Sequence, residues 1–290
     1  MLRISDARLD QLIAEDVPYI DLTTRVLGIG DRAGVMEFFT REPGVVCCTE
    51  EAARIMERLG ADVDGFVPSG ERVEAGCVLL TARCSAEALH MGWKVCLNLL
   101  DHYSAVATKT ARIVEAAHGA APHCEVLTTR KSTPGNKDLL VKAVMCGGAF
   151  PHRLGLSETV LVFQQHMEFM GGFEGFMAML PDIKSRCIEK KLFVEADPEQ
   201  AVALAKAGID GIQLDKVPAE DARALVDELR SIDPRITIVA AGGINETNAA
   251  AYAETGVDGL VTTAAFTAKP LDMSARMRAL PADGSSRGNR

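Results

Sequence analysis

The segment from 125 to 263 repeats one pattern, an apolar stretch followed by a helical stretch, and this repetition limits the fold more than any other feature. Strands that are apolar on both faces and alternate with helices are typical of a parallel sheet covered by helices. We therefore predict a closed or nearly closed α/β barrel with strands at 125–130, 160–163, 192–195, 211–215, 237–241 and 259–263. The predicted helices between them lie at 136–146, 175–189, 198–207, 218–231 and 245–255.

Polar residues of this segment stand where the predicted strands end. α/β barrels carry their active sites at the carboxyl ends of the strands, formed by the loops that follow. We therefore expect these side chains around one mouth. The polar positions are Arg130, Lys131, Glu195, Asp215 and Thr263, and Gly242-Gly243 follows the fifth predicted strand.

The segment 128–153 is strongly basic, with five Lys and Arg residues against one acid, whereas the chain has a formal net charge of -9. Such a local reversal of sign favours a small anion, and phosphate is the leading candidate. Arg130 offers a planar fork for an oxyanion and Lys131 a point charge. The turn at 133–135 makes Asn136 a candidate helix cap, and helix N-termini bind anions. On charge alone, a solvated basic face explains the segment equally well.

Glu195 and Asp215 lie twenty residues apart, one repeat of the pattern, so we expect them on adjacent strands. Two carboxylates beside cations suit a divalent metal together with sugar hydroxyls. The alternative is a pair of ordinary acids at strand ends. Gly242-Gly243 permits close approach of the backbone to a phosphate, as at the late-strand phosphate sites of barrels, or it forms a tight turn only.

The first hundred residues mix strands and helices in an irregular order, which indicates a separate α+β domain. Strands at 35–40 and 45–48 are predicted to form a hairpin, and a helical pattern at 85–117 is predicted to break near 102–104. The predicted organisation is an N-terminal domain at 1–110, a barrel domain at 111–272 and a C-terminal tail at 273–290, disordered at 282–290.

Several classes of protein are disfavoured by the sequence. The eight cysteines include no Cys-x-x-Cys pair, which predicts reduced thiols and no zinc site. No segment resembles a signal peptide or reaches membrane-spanning length, so we expect a cytoplasmic protein without membrane contact. A pI near 5.3 without a long basic tract argues against nucleic acid as the partner.

Taken together, the motifs resemble those of the type II phosphoribosyltransferases, and specifically quinolinate phosphoribosyltransferase. The similarity runs from about 21 to 272, and the pattern is most similar to the ModD branch, which is linked to molybdenum transport. The matching motifs lie at 129–135, 147–148, 152–156, 194–195, 213–215, 242–244 and 256–258.

This resemblance implies an N-terminal α/β sandwich, a partly open TIM-like barrel and a homodimer with shared active sites. It also implies transfer of phosphoribosyl from phosphoribosyl pyrophosphate (PRPP) to a ring nitrogen, with Mg²⁺. The pyrophosphate and the acceptor's acidic group would face Arg130, Lys131, His152 and Arg153. Ribose and metal would face Glu195 and Asp215, and the 5′-phosphate Gly242 and Gly243. The catalytic set would be Lys131, Glu195 and Asp215.

Departures from the family pattern concern the acceptor. Phe163 stands where the family has a lysine, His102 where it has an arginine that reaches across the dimer, and Phe193 where it has a glutamate. A charge-assisted hydrogen bond contributes about 1.5–3 kcal/mol, so loss of the lysine alone weakens a carboxylate acceptor about tenfold to a hundredfold or more. We therefore predict a less acidic nitrogen heterocycle than quinolinate as the acceptor.

Two other interpretations of the sequence remain open. The same cations could serve a non-catalytic sensor of a phosphorylated metabolite or of an oxyanion such as molybdate. Alternatively, an aldolase-like barrel could use Lys131 or Lys142 as a Schiff-base amine, although these lysines are better explained as a phosphate ligand and a helix-surface residue respectively.

Overall fold

The computed structural model describes residues 2–281, and the chain forms two compact units. Unit 1 comprises Met1–Thr108, Asn136–Gly147 and Ala268–Arg290, and unit 2 comprises Lys109–Gly135 and Gly148–Thr267. The chain thus passes between units close to the predicted borders at 110 and 272, and twice more around Asn136–Gly147. The predicted disorder at 282–290 lies outside the described residues.

Unit 1 is built on a four-stranded antiparallel sheet in the order β13-β1-β5-β3, with a two-stranded ribbon, β2-β4. This confirms the predicted N-terminal α/β domain. A 35-residue helix, α4 (Ala86–Ala120), begins in this unit. The other elements are α1 (Asp6–Asp16), α2 (Leu22–Leu27), β1 (Ala33–Thr40), β2 (Gly44–Val45), α3 (Thr49–Arg58), β3 (Asp62–Phe66), β4 (Arg72–Val73), β5 (Val78–Ser85), α5 (Lys137–Cys146) and β13 (Met273–Ala279).

Two local predictions for unit 1 are wrong. The predicted hairpin does not form, because β2 pairs with β4 while β1 pairs with β5 and β13. The N–H of Val45 donates to Thr108 Oγ1 at 2.8 Å, which directs this segment away from β1. Helix α4 also continues through the predicted break, because the Ser104 hydroxyl accepts from the N–H of Cys47 at 2.9 Å instead of competing for its own backbone.

The segment that we assigned to the C-terminal tail begins with a strand. β13 pairs antiparallel with β1 over seven residue pairs, from Gly34 with Ala279 to Thr40 with Met273. Its sequence alternates apolar and polar residues over too few positions to predict a strand. The neighbouring strand β1 has a side that faces the core, and its backbone provides the hydrogen-bond partners for β13.

Unit 2 contains a parallel sheet of seven strands in the order β7-β6-β12-β11-β10-β9-β8, curled into a partly open barrel, as predicted. Among the described residues, the terminal strands β7 and β8 have no pairing with each other. The strands are β6 (Glu125–Thr128), β7 (Phe150–Pro151), β8 (Val160–Val162), β9 (Leu192–Ala196), β10 (Gly211–Asp215), β11 (Thr237–Ala241) and β12 (Gly259–Thr262). The helices are α6 (Gln164–Met167), α7 (Gly172–Arg186), α8 (Pro198–Lys206), α9 (Ala219–Ile232) and α10 (Ala249–Ala253), with short 3₁₀ helices at Glu168–Met170 and Ala264–Thr267.

The concave face of this sheet has an apolar floor. Successive residues of a strand point to opposite faces, so Phe193 and Glu195 of β9 share one face. Phe193 pairs in register with Gly211 of β10, and a Cβ at Gly211 would overlap the Phe193 ring. The floor consists of Leu127, Leu161, Phe163, Phe193, Val239, Ala241 and Val261.

Two further predictions, of reduced thiols and of no membrane-spanning segment, concern the residues that the structure describes. The eight cysteines are all free thiols, four of them buried. Across residues 2–281, no helix is both long enough and apolar enough to cross a membrane.

Candidate active site

A cavity of about 990 Å³ opens at the carboxyl ends of the barrel strands, where the strand pattern predicted a site. Four cationic and two acidic side chains line it, which gives a local charge of +2 in a chain of -9. The lining residues are Thr129, Arg130, Lys131, His152, Arg153, Leu161, Phe163, Gln165, Glu195, Gln213, Asp215, Lys216, Ala241, Gly242, Gly243, Ile244, Asn245, Val261, Thr263, Ala264 and Thr267.

Backbone hydrogen bonds hold the loops of the cationic side together. The N–H of Thr129 donates to the carbonyl of Thr262 at 3.0 Å, and the two hydroxyls of Thr129 and Thr263 lie 2.9 Å apart. The N–H of Lys131 donates to Thr129 Oγ1 at 3.2 Å. The N–H of His152 donates to the carbonyl of Thr128 at 2.9 Å, which brings the loop after β7 beside the loop after β6.

Arg130, His152 and Arg153 are close enough to influence one another electrostatically. Burial and the charge of Arg130 lower the pKa of Arg153, which nevertheless stays a cation. Burial and the charge of Arg153 lower the pKa of His152 below 6.5, so this imidazole is neutral at pH 7. The group therefore presents two fixed positive charges and a neutral histidine.

Aromatic rings border the cations on the β7–β8 side of the cavity. The Arg153 guanidinium carbon lies 5.8 Å from the centre of the Phe163 ring, within cation–π range. The His152 ring meets Phe193 edge-on, with centroids 6.1 Å apart. This side of the cavity therefore offers flat apolar surface with a single guanidinium directly above it.

The two predicted carboxylates stand on the paired strands β9 and β10, and both line the cavity. Gln213 Nε2 donates to Glu195 Oε2 at 2.6 Å. Burial and the neighbouring Asp215 raise the pKa of Glu195, and they outweigh the opposing effects of Gln213, Lys131 and Lys216. Glu195 and Asp215 thus lie on neighbouring strands, and both line the cavity together with Lys131.

The Gly242-Gly243 turn has the backbone geometry that requires glycine. Both residues have positive φ, +97° and +76°. A Cβ at Gly242 would lie 2.9 Å from the backbone nitrogen of Lys216 and 3.1 Å from Asp215 Oδ1. A side chain at Gly242 would therefore clash, and the two glycines leave their own backbone bare beside the cavity.

The predicted helix start at 245 is wrong, since α10 begins at Ala249. Asn245 and Asn248 form a turn of their own before the helix. The N–H of Asn245 donates to Asn248 Oδ1 at 2.8 Å, and both side-chain amides donate to the carbonyl of Gly243 at 3.1 Å. These local bonds compete with the first helical turn.

The basic segment 128–153 divides between the two units. Arg130, Lys131 and Arg153 line the cavity, whereas Lys137 and Lys142 belong to α5 in unit 1. The prediction of Lys142 as a helix-surface residue is wrong, because the residue is only 1% exposed. Its ammonium donates to Glu50 at 2.9 Å and also to Glu51, which leaves it without the free amine that a Schiff base needs.

Two further predicted residues take other positions. Asn136 precedes α5 as predicted, but its side chain makes no capping hydrogen bond and Oδ1 instead accepts from Arg8 Nη2 at 2.9 Å. His102 belongs to unit 1, on an exposed part of α4, with Nδ1 3.0 Å from the carbonyl of Asn98. It is not among the described residues that line the cavity, so its part in acceptor binding stays a prediction.

The family motif at 213–215 includes Gln213, but no role was predicted for it, and no pattern pointed to Lys216, although both line the cavity. A signal was present for Gln213, since it lies two residues before Asp215 and hence on the same strand face. Lys216 directly follows the end of β10, and Lys131 lies in the loop after β6. Because the prediction concentrated on acids at strand ends, it missed Lys216, the lysine next to Asp215.

Two carboxylates could hold a divalent cation here. Within residues 2–281, no cluster of three or more His, Cys, Asp and Glu side chains has the arrangement of a metal site. Mg²⁺ typically takes only one or two protein carboxylates and completes its shell with water and substrate phosphates. The repelling pair Glu195 and Asp215 fits that donor set, provided that the substrate supplies further oxygens.

Comparison with known proteins places these features in a family. The family model described as the quinolinate phosphoribosyl transferase N-terminal domain matches residues 21–104. The model for the C-terminal domain of the same family matches residues 106–276. Together the two matches span both the predicted N-terminal domain and the barrel.

Individual relatives agree with this assignment. A protein of Rhodobacter capsulatus named as the pyrophosphorylase ModD is 44% identical over 251 residues, 86% of this chain and 96% of that protein. The nicotinate-nucleotide pyrophosphorylase (carboxylating) of Mycobacterium leprae is 32% identical over 257 residues, 86% of this chain and 88% of that protein. The crystal structure of NadC from Streptococcus pyogenes is similar with a TM-score of 0.87 and 25% identity, and covers 97% of this chain and 100% of that chain.

Proposed function

Because the chain belongs to the quinolinate phosphoribosyl transferase family, and hence to the pentosyltransferases, we propose a specific reaction for it. PRPP is the donor, and the acceptor is a nitrogen heterocycle less acidic than quinolinate. The observation that carries this proposal is the cavity itself, where three cations of the β6–β7 side and two acids of the β9–β10 side face one space. Such a charge pattern suits a pyrophosphate joined to a sugar.

The chemistry follows from where charge develops. As the bond between the anomeric carbon and pyrophosphate breaks, negative charge grows on the leaving oxygens and positive charge on the sugar ring. Arg130 and Lys131 stabilise the leaving pyrophosphate. Glu195 and Asp215 stabilise the oxocarbenium-like sugar, whose anomeric carbon then bonds to the acceptor nitrogen. No protein nucleophile is needed.

Mg²⁺ is the proposed cofactor, with Glu195 and Asp215 as its protein ligands. When bound, it would neutralise part of the pyrophosphate charge. The raised pKa of Glu195 supports this assignment, since a cation between two repelling carboxylates stabilises both in their ionised form. Gln213 holds Glu195 in place through the 2.6 Å hydrogen bond.

The acceptor is proposed from what surrounds Arg153. Phe163 and Phe193 supply flat apolar surface that suits the face of an aromatic heterocycle. His152 is neutral at pH 7, and Arg130 serves the pyrophosphate in this proposal, so Arg153 is the cation left for an acidic group of the acceptor. A dicarboxylate would have to leave one carboxylate without a cationic partner, which costs affinity.

The homodimer with shared active sites and the link to molybdenum transport are further proposals. Support for the link is limited to the name of relatives such as the R. capsulatus protein. Support for the dimer is the family membership, within which His102 would be the residue offered to the partner's site.

A second candidate function is a non-catalytic sensor that binds a phosphorylated metabolite or molybdate at the same cations. The observation that favours it is the aromatic side of the cavity, where Phe163 and Phe193 occupy positions at which the resemblance leads us to expect a cation and an acid. Such a sensor binds its anion saturably but releases no pyrophosphate.

One experiment separates these functions. Wild-type protein is incubated with PRPP, Mg²⁺ and a panel of neutral, monocarboxylate and dicarboxylate heterocycles, and pyrophosphate release is measured. The proposal expects release with a neutral or monocarboxylate base and its loss in Lys131→Ala and Glu195→Ala. Saturable PRPP or molybdate binding without release for any base would favour the sensor instead.

A further inference from the structure

Lys216 lines the cavity but has no part in the reaction described so far. Its φ is +57°, and among the described residues only Cys48 shares a positive φ without being glycine. Residues with a side chain rarely adopt this region, and those that do so cluster at functional sites. The surroundings must therefore hold Lys216 in place.

Gly242 provides that support. The N–H of Lys216 donates to the carbonyl of Ala241 at 2.8 Å, across the β10–β11 pair. A Cβ at Gly242 would lie 2.5 Å from Lys216 Cγ. The aliphatic part of Lys216 therefore runs directly along the bare Gly242-Gly243 backbone, and its ammonium can reach whatever binds at that turn.

The ammonium is held only loosely by its ion-pair partner. Lys216 Nζ lies 3.3 Å from Asp215 Oδ2, and the lysine side chain is 78% exposed. Ion pairs between water-exposed side chains contribute little, because the solvent screens both charges. Lys216 can therefore leave Asp215 for a stronger anion at small cost.

Lys216 is also separate from the other cations of the cavity. In the sheet, strands β12 and β11 lie between β6, which leads to Arg130 and Lys131, and β10, which leads to Lys216. PRPP carries its phosphates at both ends of the ribose. Cations on separate strands can each serve one end.

We propose that Lys216 binds the 5′-phosphate of the donor at the Gly242-Gly243 turn and is stored on Asp215 until the donor arrives. When the Lys216 ammonium moves to the phosphate, the Asp215 carboxylate is free to contact the sugar and the metal ion. A lysine suits this task, since its compact charge sits on a flexible stem. The inference rests on the proposed function, because it takes PRPP as the donor.

The test is calorimetric titration of the full-length protein with ribose 5-phosphate and, separately, with pyrophosphate. Lys216→Gln should weaken ribose 5-phosphate binding by about tenfold or more, the effect of one charge-assisted hydrogen bond, and leave pyrophosphate binding unchanged. Lys216→Gly relaxes the strained backbone but also lacks the ammonium, so it should lose the same affinity. Lys206→Gln, which removes an exposed lysine of α8, should behave as wild type.

Three outcomes overturn the assignment. Equal weakening of both ligands would mean that Lys216 acts through the general charge of the cavity. Unchanged ribose 5-phosphate binding in Lys216→Gln, in a protein that still binds PRPP, would exclude the role of Lys216 but leave the proposed function standing. Wild-type protein that fails to bind PRPP at all would remove the proposed function and this inference with it.

Discussion

At the scale of single residues, Glu195 lowers the stability of the folded chain when it is ionised, the form that the proposed reaction uses. Its carboxylate is half-buried, next to Asp215, and both circumstances raise its pKa. Because the folded state holds the proton more tightly, the ionised form costs stability as pH rises from the ordinary value of 4.5 through the raised pKa. That cost is absent below 4.5, where folded and unfolded chains are both protonated.

Glu195→Gln should therefore separate activity from stability. We expect a loss of PRPP turnover of about a hundredfold or more, as for removal of one electrostatic stabiliser of a transition state. We also expect a higher melting temperature than wild type at pH 7, with a difference that disappears below pH 4.5. Thermal unfolding across this pH range is the measurement, with exposed Glu199→Gln as control. A variant less stable than wild type at pH 7 would contradict the account.

Phe163 determines, in this account, which acceptors bind. Phe163→Lys restores the cation that the family resemblance leads us to expect, so quinolinate should bind about tenfold more tightly or better. Phe163→Met, which stays apolar, is the matched control and should show no gain. The measurement is calorimetric titration with quinolinate. Wild-type protein that binds quinolinate as tightly as Phe163→Lys would show that the acceptor has been assigned wrongly.

At the scale of elements, a buried ion cluster holds α5 to α3. Lys142 on α5 contacts Glu50 and Glu51 on α3. Burial alone would raise the pKa of Glu50, but hydrogen bonds from Ser69 and Lys142 outweigh it and lower the pKa to about 2. The stability from this group is therefore complete above pH 4.5 and is lost as pH falls towards 2.

Lys142→Met should destabilise the protein by about 3–5 kcal/mol at pH 7, because it leaves the buried Glu51 and the partly buried Glu50 without their shared cation. Without Lys142 the pKa of Glu50 rises, so acid unfolding should begin at higher pH. Urea denaturation at pH 7 and thermal unfolding from pH 2 to 7 are the measurements. Lys137→Met removes an exposed lysine of the same helix and should have little effect. Equal losses in both variants would contradict a buried cluster.

The pairing of β9 with β10 depends on a glycine facing a phenylalanine. Gly211→Ala should cost about 1–3 kcal/mol through overpacking, because its Cβ overlaps the Phe193 ring. In a Phe193→Ala background the same change should cost much less, and urea denaturation of the four proteins measures the coupling. Gly119→Ala in α4, where a Cβ meets nothing within 4 Å, should stabilise slightly. Additive losses at 193 and 211 would exclude the contact.

How far these elements could be predicted depended on the length of their pattern. β10 and β11 were predicted to the residue, because a short and mostly apolar run between a turn and a helix is distinctive. β7 was missed because two residues carry no period. The contact of Phe193 with Gly211 could not be predicted, since it depends on the register between strands. The burial of Lys142 depends on α5 belonging to unit 1, which no local pattern reveals.

At the scale of the whole molecule, charge is distributed unevenly. The chain carries -9 in total while the cavity carries +2, so small anions are repelled elsewhere and attracted to the mouth. The convergence of acids and cations was predictable, because parallel strands bring their carboxyl ends together. The division of the basic segment 128–153 between two units was not, because spacing along the chain does not show where α5 packs.

The central claim is that these charges bind PRPP, and calorimetric titration of the full-length protein with PRPP and Mg²⁺ tests it most directly. The account predicts saturable binding in wild type and in Lys206→Gln. In Lys131→Gln it predicts affinity about tenfold lower or worse, because an ammonium on the pyrophosphate is lost. Wild-type protein that shows no binding of PRPP, with or without Mg²⁺, would contradict the account.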